Sequence, residues 1–112
     1  GGYFNNVFIF NAYLTGGILM IYASKIRMQA GKERDNKLTS IYSIYLEGSI
    51  KTANFYTKES IYDWLKDNPS IQIKVNISPY PLVIPEKRLN TKYVKSSPDY
   101  TGKDNLLNLP RE

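Results

Sequence analysis

The stretch from Thr57 to Pro69 limits what this chain can become more than any other. Thr57 is a good helix N-cap, since its hydroxyl can accept a backbone N–H left free by the first turn. Glu59 follows in that turn, where the helix dipole favours a negative charge, and Lys66 lies near the other end, where it favours a positive one. Ile61, Trp64 and Leu65 stand at i, i+3 and i+4 and make one apolar stripe. Pro69 ends the helix, because the residue before a proline is pushed out of helical geometry. A helix of about three turns is marginal alone in water, so it must be held by packing its stripe on something else.

What it packs on is written in the alternating segments. Ile21 to Met28 places Tyr22, Ser24, Ile26 and Met28 on one face and Ile21, Ala23, Lys25 and Arg27 on the other. Gln29 to Lys37 is a polar turn containing Gly31 and Asn36. Leu38 to Glu47 reads as a second strand, with Ile41, Ser43 and Tyr45 on one side and Tyr42, Ile44 and Leu46 on the other. Both of its faces carry apolar residues, which suits a central strand in an antiparallel hairpin with its predecessor. Gly48-Ser49 turns the chain, and Ile50 to Tyr56 is a shorter strand or an extended lead into the helix. Ile71, Ile73 and Val75 alternate with Gln72, Lys74 and Asn76. Pro79, Pro81 and Pro85 confine Ser78 to Pro85 to an extended edge or a loop. Tyr93 to Lys95 is a last short strand, and Leu106, Leu107 and Leu109 are expected to tuck under the sheet edge. The expectation is an α+β fold: a small antiparallel sheet with one helix packed on one face. Ile61, Trp64 and Leu65 should meet Ile26, Ile44 and Ile73.

Residues Gly1 to Ser24 contain no charged side chain. A membrane or signal segment would be long enough here, but Asn5, Asn6, Asn11 and Thr15 interrupt it, and the positive charge follows rather than precedes the apolar run. Val7 to Phe10 could instead be an extra strand buried on both faces. Alternatively, residues 1–19 are a non-native leader, a translated upstream region. Thr15-Gly16-Gly17 can be back-translated to a purine-rich ribosome-binding sequence, placed just before a start codon at Met20. The expected organisation is therefore a leader or extra strand over 1–19 and a single α+β domain over 20–112.

The chain has 112 residues, enough for one modest core, and neither cysteine nor histidine. Without cysteine there are no disulfides, thiolate zinc sites or cysteine nucleophiles. Without histidine the usual general base near neutral pH and the commonest metal ligand are both gone. The expectation is a non-catalytic protein that takes no metal and no cofactor. Abundant Asn, Ile, Lys, Tyr and Phe have AT-rich codons, which suggests a bacterial gene or one from a phage or plasmid.

The strand ending in Lys25-Ile26-Arg27-Met28, the start Thr57-Lys58-Glu59 leading to Asp63-Trp64-Leu65, and Tyr93-Val94-Lys95-Ser96 form a recognisable order. Together with the ending Asp104-Asn105-Leu106-Leu107-Asn108-Leu109-Pro110-Arg111, this order resembles the small bacterial proteins of domain-of-unknown-function family 3892. The resemblance spans about residues 20 to 112. It implies a small soluble domain and transfers no site residues, since no activity is established for that family.

Other constellations have ordinary explanations. Asp99, Asp104 and Asn105 lack the glycine and closing glutamate of a calcium loop, and Asp and Asn in turns bond backbone. Glu59, Asp63 and Asp67 recur every fourth residue, as on a solvated helix face. Gly16-Gly17 and Gly31-Lys32 lack phosphate-loop spacing. The best functional candidates are aromatics interleaved with basic residues: Tyr22, Tyr42, Tyr45 and Tyr56 with Lys25, Arg27 and Lys51. Such a sheet surface can stack bases and neutralise phosphates.

Net charge is +5, from 15 basic and 10 acidic residues, which permits an anionic partner without requiring one. The leading expectation is a cytoplasmic accessory or interaction module with a protein partner, a second copy of the chain included. A nucleic-acid-binding role for Tyr22, Lys25, Arg27, Tyr42, Tyr45 and Lys51 is the alternative. A membrane is not an expected partner.

Overall fold

The computed structural model describes residues 19–98 and 103–112. The strand or leader expected before Met20 lies outside them, apart from Leu19, as do Asp99 and Tyr100. Among the described residues, six strands form two sheets. In the larger sheet, β1 (Ile21–Met28), β2 (Ile41–Gly48), β3 (Asn54–Thr57) and β4 (Ile73–Val75) are ordered β3-β2-β1-β4. A hairpin of β5 (Val83–Arg88) and β6 (Thr91–Ser96) makes the second sheet, and α1 (Lys58–Asp67) runs between β3 and β4.

The α+β class holds, but the four-stranded sheet is mixed rather than wholly antiparallel. β1 and β3 each pair antiparallel with β2, whereas β4 pairs parallel with β1. The cause is the helix. It carries the chain from one edge of the sheet to the other, and a strand returning after such a crossover runs in the same direction as the strand before it.

The helix starts and ends as its residues dictate. Thr57 Oγ1 accepts the Ser60 N–H at 3.2 Å. At the other end, the Asn68 N–H and the Asn68 side-chain amide both donate to the Trp64 carbonyl oxygen at 3.0 Å. Trp64 is 1% exposed, and Ile61 and Leu65 are buried beside it in one core with Ile26, Ile44 and Ile73. The helix packs on β2 and β3 and also on both strands of the hairpin, so it is covered from two sides.

The C-terminal segment completes the sheet. Asp104 caps a short 3-10 turn (Asn105–Asn108) by accepting the Leu106 N–H at 2.9 Å, which places Leu106, Leu107 and Leu109 in the core. Pro110 and Glu112 then bond the backbone of Ile26 on β1: the Ile26 N–H donates to the Pro110 carbonyl, and the Glu112 N–H to the Ile26 carbonyl, each at 2.9 Å. β4 occupies the same edge of β1 only over Ile21 to Ala23. Arg111 fastens this end to the β1–β2 loop. Its guanidinium donates to the carbonyl oxygens of Glu33 (2.9 Å), Asp35 (2.8 Å) and Leu107 (3.3 Å).

Prolines behave as their chemistry requires. Pro79 to Leu82 runs along the outer edge of β4, where the Val75 N–H donates to the Pro81 carbonyl at 2.8 Å and Lys74 bridges Leu82. Pro85 lies within β5, in a two-stranded sheet whose strands each have a free edge, and so costs no ladder bond on that edge. The tight β5–β6 connection through Leu89 and Asn90 was not expected from the sequence, because it lacks the usual glycine. Leu89 takes φ +53 and is 91% exposed.

Candidate binding face of the sheet

With the helix on one side, the four-stranded sheet has a second face, and two irregularities decide what stands on it. β1 and β2 pair Ala23 with Leu46 and then Lys25 with Tyr45, so Ser24 is an extra, unpaired residue. Such a bulge shifts the alternation by one. Ile21, Ala23 and Ile26 therefore all face the helix, and Tyr22, Ser24, Lys25 and Arg27 share the opposite face. This corrects the strict alternation read from the sequence, which set Tyr22 and Ser24 with Ile26, and Lys25 and Arg27 with Ile21.

The second irregularity lies on β2. Arg27 pairs with Ser43 and Met28 with Ile41, leaving Tyr42 unpaired. Ile41 consequently joins Ile44 and Leu46 on the buried side, while Ser43 and Tyr45 remain on the open one. The sequence reading had exchanged Ile41 and Tyr42 between faces.

β3 completes the open face. Phe55 lies opposite Tyr45, and Thr57 opposite Ser43. The Tyr45 and Phe55 rings meet edge to face with centroids 5.1 Å apart. Lys25 Nζ stands 4.7 Å from the Tyr45 ring centre, and the Arg27 guanidinium carbon lies 3.8 Å above the Phe55 ring. To reach Phe55, Arg27 on β1 must cross the whole width of β2. Four side chains from three strands thus interlock, two cations each lying on an aromatic ring, an arrangement worth about 0.5–1 kcal/mol per pair at exposed sites.

The charges on this face nearly cancel. Lys25 also pairs with Glu112 at 3.2 Å. Glu47, opposite Tyr22, accepts a hydrogen bond from the Ser24 hydroxyl. Arg27 differs: among the described residues it faces no carboxylate within ion-pair distance. Beside it lies an oddity. Ser43 is 3% exposed, and its hydroxyl has no hydrogen-bond partner among the described residues. A buried orphan hydroxyl is uncommon in a folded protein and calls for an explanation.

The candidates named from sequence therefore divide. Tyr22, Lys25, Arg27 and Tyr45 come together on the open face. Tyr42 is 53% exposed at the irregularity near one end of β2, and Lys51 lies in the exposed loop between β2 and β3. Tyr56 turns the other way. It packs against the core, its hydroxyl donates to the Thr52 carbonyl at 2.6 Å, and burial raises its pKa. Sequence reasoning missed Phe55, Ser43, Glu47 and Glu112. Phe55 could have been found from its alternation with Tyr56 and Thr57. Nothing local marks Glu112, whose contact with Lys25 spans almost the whole chain.

Other features are structural. Asp63 binds Lys92 of the hairpin at 2.7 Å, and Glu86 binds Lys95 across the β5–β6 ladder at 2.8 Å. A groove of about 340 Å³ between the end of α1 and β5 is lined by Leu65, Ile71, Val83 and Ile84, with Lys66 and Gln72 as its polar side chains. It lacks the converging polar groups that fix a specific ligand. Among the described residues no helix is long and apolar enough to cross a membrane.

These elements define a small α+β domain: a mixed four-stranded sheet, one crossover helix, an appended hairpin and a C-terminal strap. The chain belongs to the family described as Protein of unknown function (DUF3892), which it matches over residues 23–110, from within β1 to the strap. No curated protein and no solved structure matches it.

Proposed function

We propose that this chain is a small, non-catalytic accessory module of the cytoplasm that binds a protein partner through the helix-free face of its four-stranded sheet. One observation carries the reading: Arg27 on Phe55 and Lys25 on Tyr45 form an aromatic-rich surface on which opposite charges largely cancel. Aromatics and arginine are what protein interfaces enrich, and a balanced surface suits a protein partner better than a polyanion. The lack of histidine and cysteine supports the non-catalytic part.

A photo-crosslinking amino acid at Tyr22, in cells of the native host, tests this. Tyr22 crosslinks are expected to run as discrete protein adducts, heterologous or of two copies of this chain. The same group at Leu89, on the far hairpin tip, is expected to give none. Equal adducts at both positions would overturn the reading.

Nucleic-acid binding is the second reading, favoured by the pairing of Tyr45 and Phe55 with basic residues. It predicts nuclease-sensitive Tyr22 adducts. It also predicts binding to single-stranded oligonucleotides that weakens steeply with salt and is lost in Arg27→Ala. No salt-dependent binding would remove it.

A further inference from the structure

We propose that Arg27 and Ser43 form a seat for a single carboxylate of the partner. The inference rests on the open face being the contact surface, and it names the chemistry recognised there. The Arg27 guanidinium carbon lies 3.8 Å from the Phe55 ring centre, so the ring narrows the positions its guanidinium takes before any ligand arrives. A guanidinium presents parallel N–H groups that match the two oxygens of a carboxylate. Its cation is not matched by an acidic group among the described residues, whereas Lys25 has Glu112.

The second, independent observation is Ser43. It is paired across the strands with Arg27, on the same face, buried and without a hydrogen-bond partner among the described residues. With Arg27 as its cross-strand neighbour, the group that best satisfies this hydroxyl is an anionic acceptor. Arg27 is exposed, so a modest tilt of its side chain admits an oxygen that takes both the guanidinium fork and the Ser43 O–H. A single charge with a planar fork fits a carboxylate. A run of phosphates would also meet Glu47 and Glu112 on the same face and be repelled.

Nuclear magnetic resonance titrations at constant ionic strength test the seat, with sodium acetate in one arm and inorganic phosphate in the other, chloride serving as the balancing anion. Acetate is expected to give saturable shifts at the Arg27 side-chain N–H and the Ser43 amide, and phosphate is expected to bind no tighter. Arg27→Lys keeps the charge and loses the fork, so acetate affinity should fall roughly fivefold or more. Ser43→Ala should weaken acetate about threefold while leaving the free protein as stable or slightly more stable, since it removes an unsatisfied buried hydroxyl. A merely structural Ser43 would show the opposite sign, a loss of stability with unchanged acetate binding.

Absence of saturable shifts, full affinity in Arg27→Lys, or phosphate binding tenfold tighter than acetate would each overturn the carboxylate seat. If the shifts are absent but the Tyr22 crosslinks persist, the seat falls and the contact surface stands. If the crosslinks fail, the contact surface falls.

Discussion

The two faces of the four-stranded sheet share β1 and β2, yet they are held together by different physics. The helix-side face is Ile21, Ala23, Ile26, Ile41, Ile44 and Leu46, none more than 2% exposed, closed by Trp64. The open face is Tyr22, Lys25, Arg27, Tyr45 and Phe55, the last four joined by ring and cation contacts, with the carboxylates of Glu47 and Glu112 beside them. The first face supplies most of the stability through area removed from water. The second adds little to stability, because exposed ion pairs and cation–π pairs are each worth at most about 1 kcal/mol. The fold can therefore present the open face for other uses while the core stays intact.

The largest effect should come from breaking the helix-side face. Trp64→Ala empties the centre of the core and should cost about 3–5 kcal/mol in denaturant unfolding, enough to leave much of the chain unfolded. By contrast, Arg27→Ala on the open face should cost no more than about 1 kcal/mol. Comparable losses for the two would erase the proposed division of labour.

Gly48 probes the end of the sheet, where β2 passes closest to the segment before β1. It has φ +95, and a Cβ there would collide with the Met20 carbonyl oxygen, which also accepts the Ser49 N–H at 2.8 Å. Gly48→Ala must both strain the backbone and push Met20 away. A loss of about 2 kcal/mol is expected, with exchange protection of the Ser49 amide falling first. An unchanged Ser49 amide would mean that Met20 is not held there.

Much of the helix-side face was readable from the residues. Thr57, Ile61, Trp64, Leu65 and Pro69 define the helix locally, and β1 and β2 were located to within a few residues. The open face was only half legible: Lys25, Arg27 and Tyr45 were named, but in an alternation that scattered them. Period-two reading fails at a bulge, and neither Ser24 nor Tyr42 is a glycine or carries another mark of one. The parallel pairing of β4 and the docking of Pro110 to Glu112 on β1 are long-range choices. They are set by the helix crossover and by Arg111, and no local pattern encodes them.

Ser24 offers a direct test of the bulge. Deleting it removes the unpaired residue and one hydrogen bond to Glu47, yet the remaining alternation keeps Ala23 and Ile26 facing the helix and Lys25 and Arg27 facing out. The deletion should therefore fold, at a cost of roughly 1 kcal/mol, and keep the Lys25–Tyr45 pairing visible as nuclear Overhauser contacts. Inserting one residue between Lys25 and Ile26 should instead turn Ile26 and Met28 outward and approach the cost of Trp64→Ala. A deletion as damaging as the insertion would show that the bulge carries more than a change of phase.

The smallest effects belong to groups away from the open face, and their signs separate burial from pairing. Burial raises the pKa of Tyr56 on the helix side. Hydrogen bonding to Asp63 raises Lys92, and hydrogen bonding to Glu86 raises Lys95. Groups with raised folded-state values stabilise fully below their unfolded values and lose that contribution as pH climbs through the folded ones. All three should therefore weaken the fold only above about pH 10. Glu86 is lowered, first by its hydrogen bond from Lys95, so its contribution is present above the unfolded carboxylate value and disappears as pH falls below about 4. Thermal unfolding followed across pH should show both shoulders. Glu86→Gln should remove the acid shoulder and leave the part of the alkaline one that comes from Tyr56 and Lys92. If Tyr56→Phe leaves the alkaline shoulder at full height, burial on the helix side contributes nothing there and the ion pairs of the hairpin account for all of it.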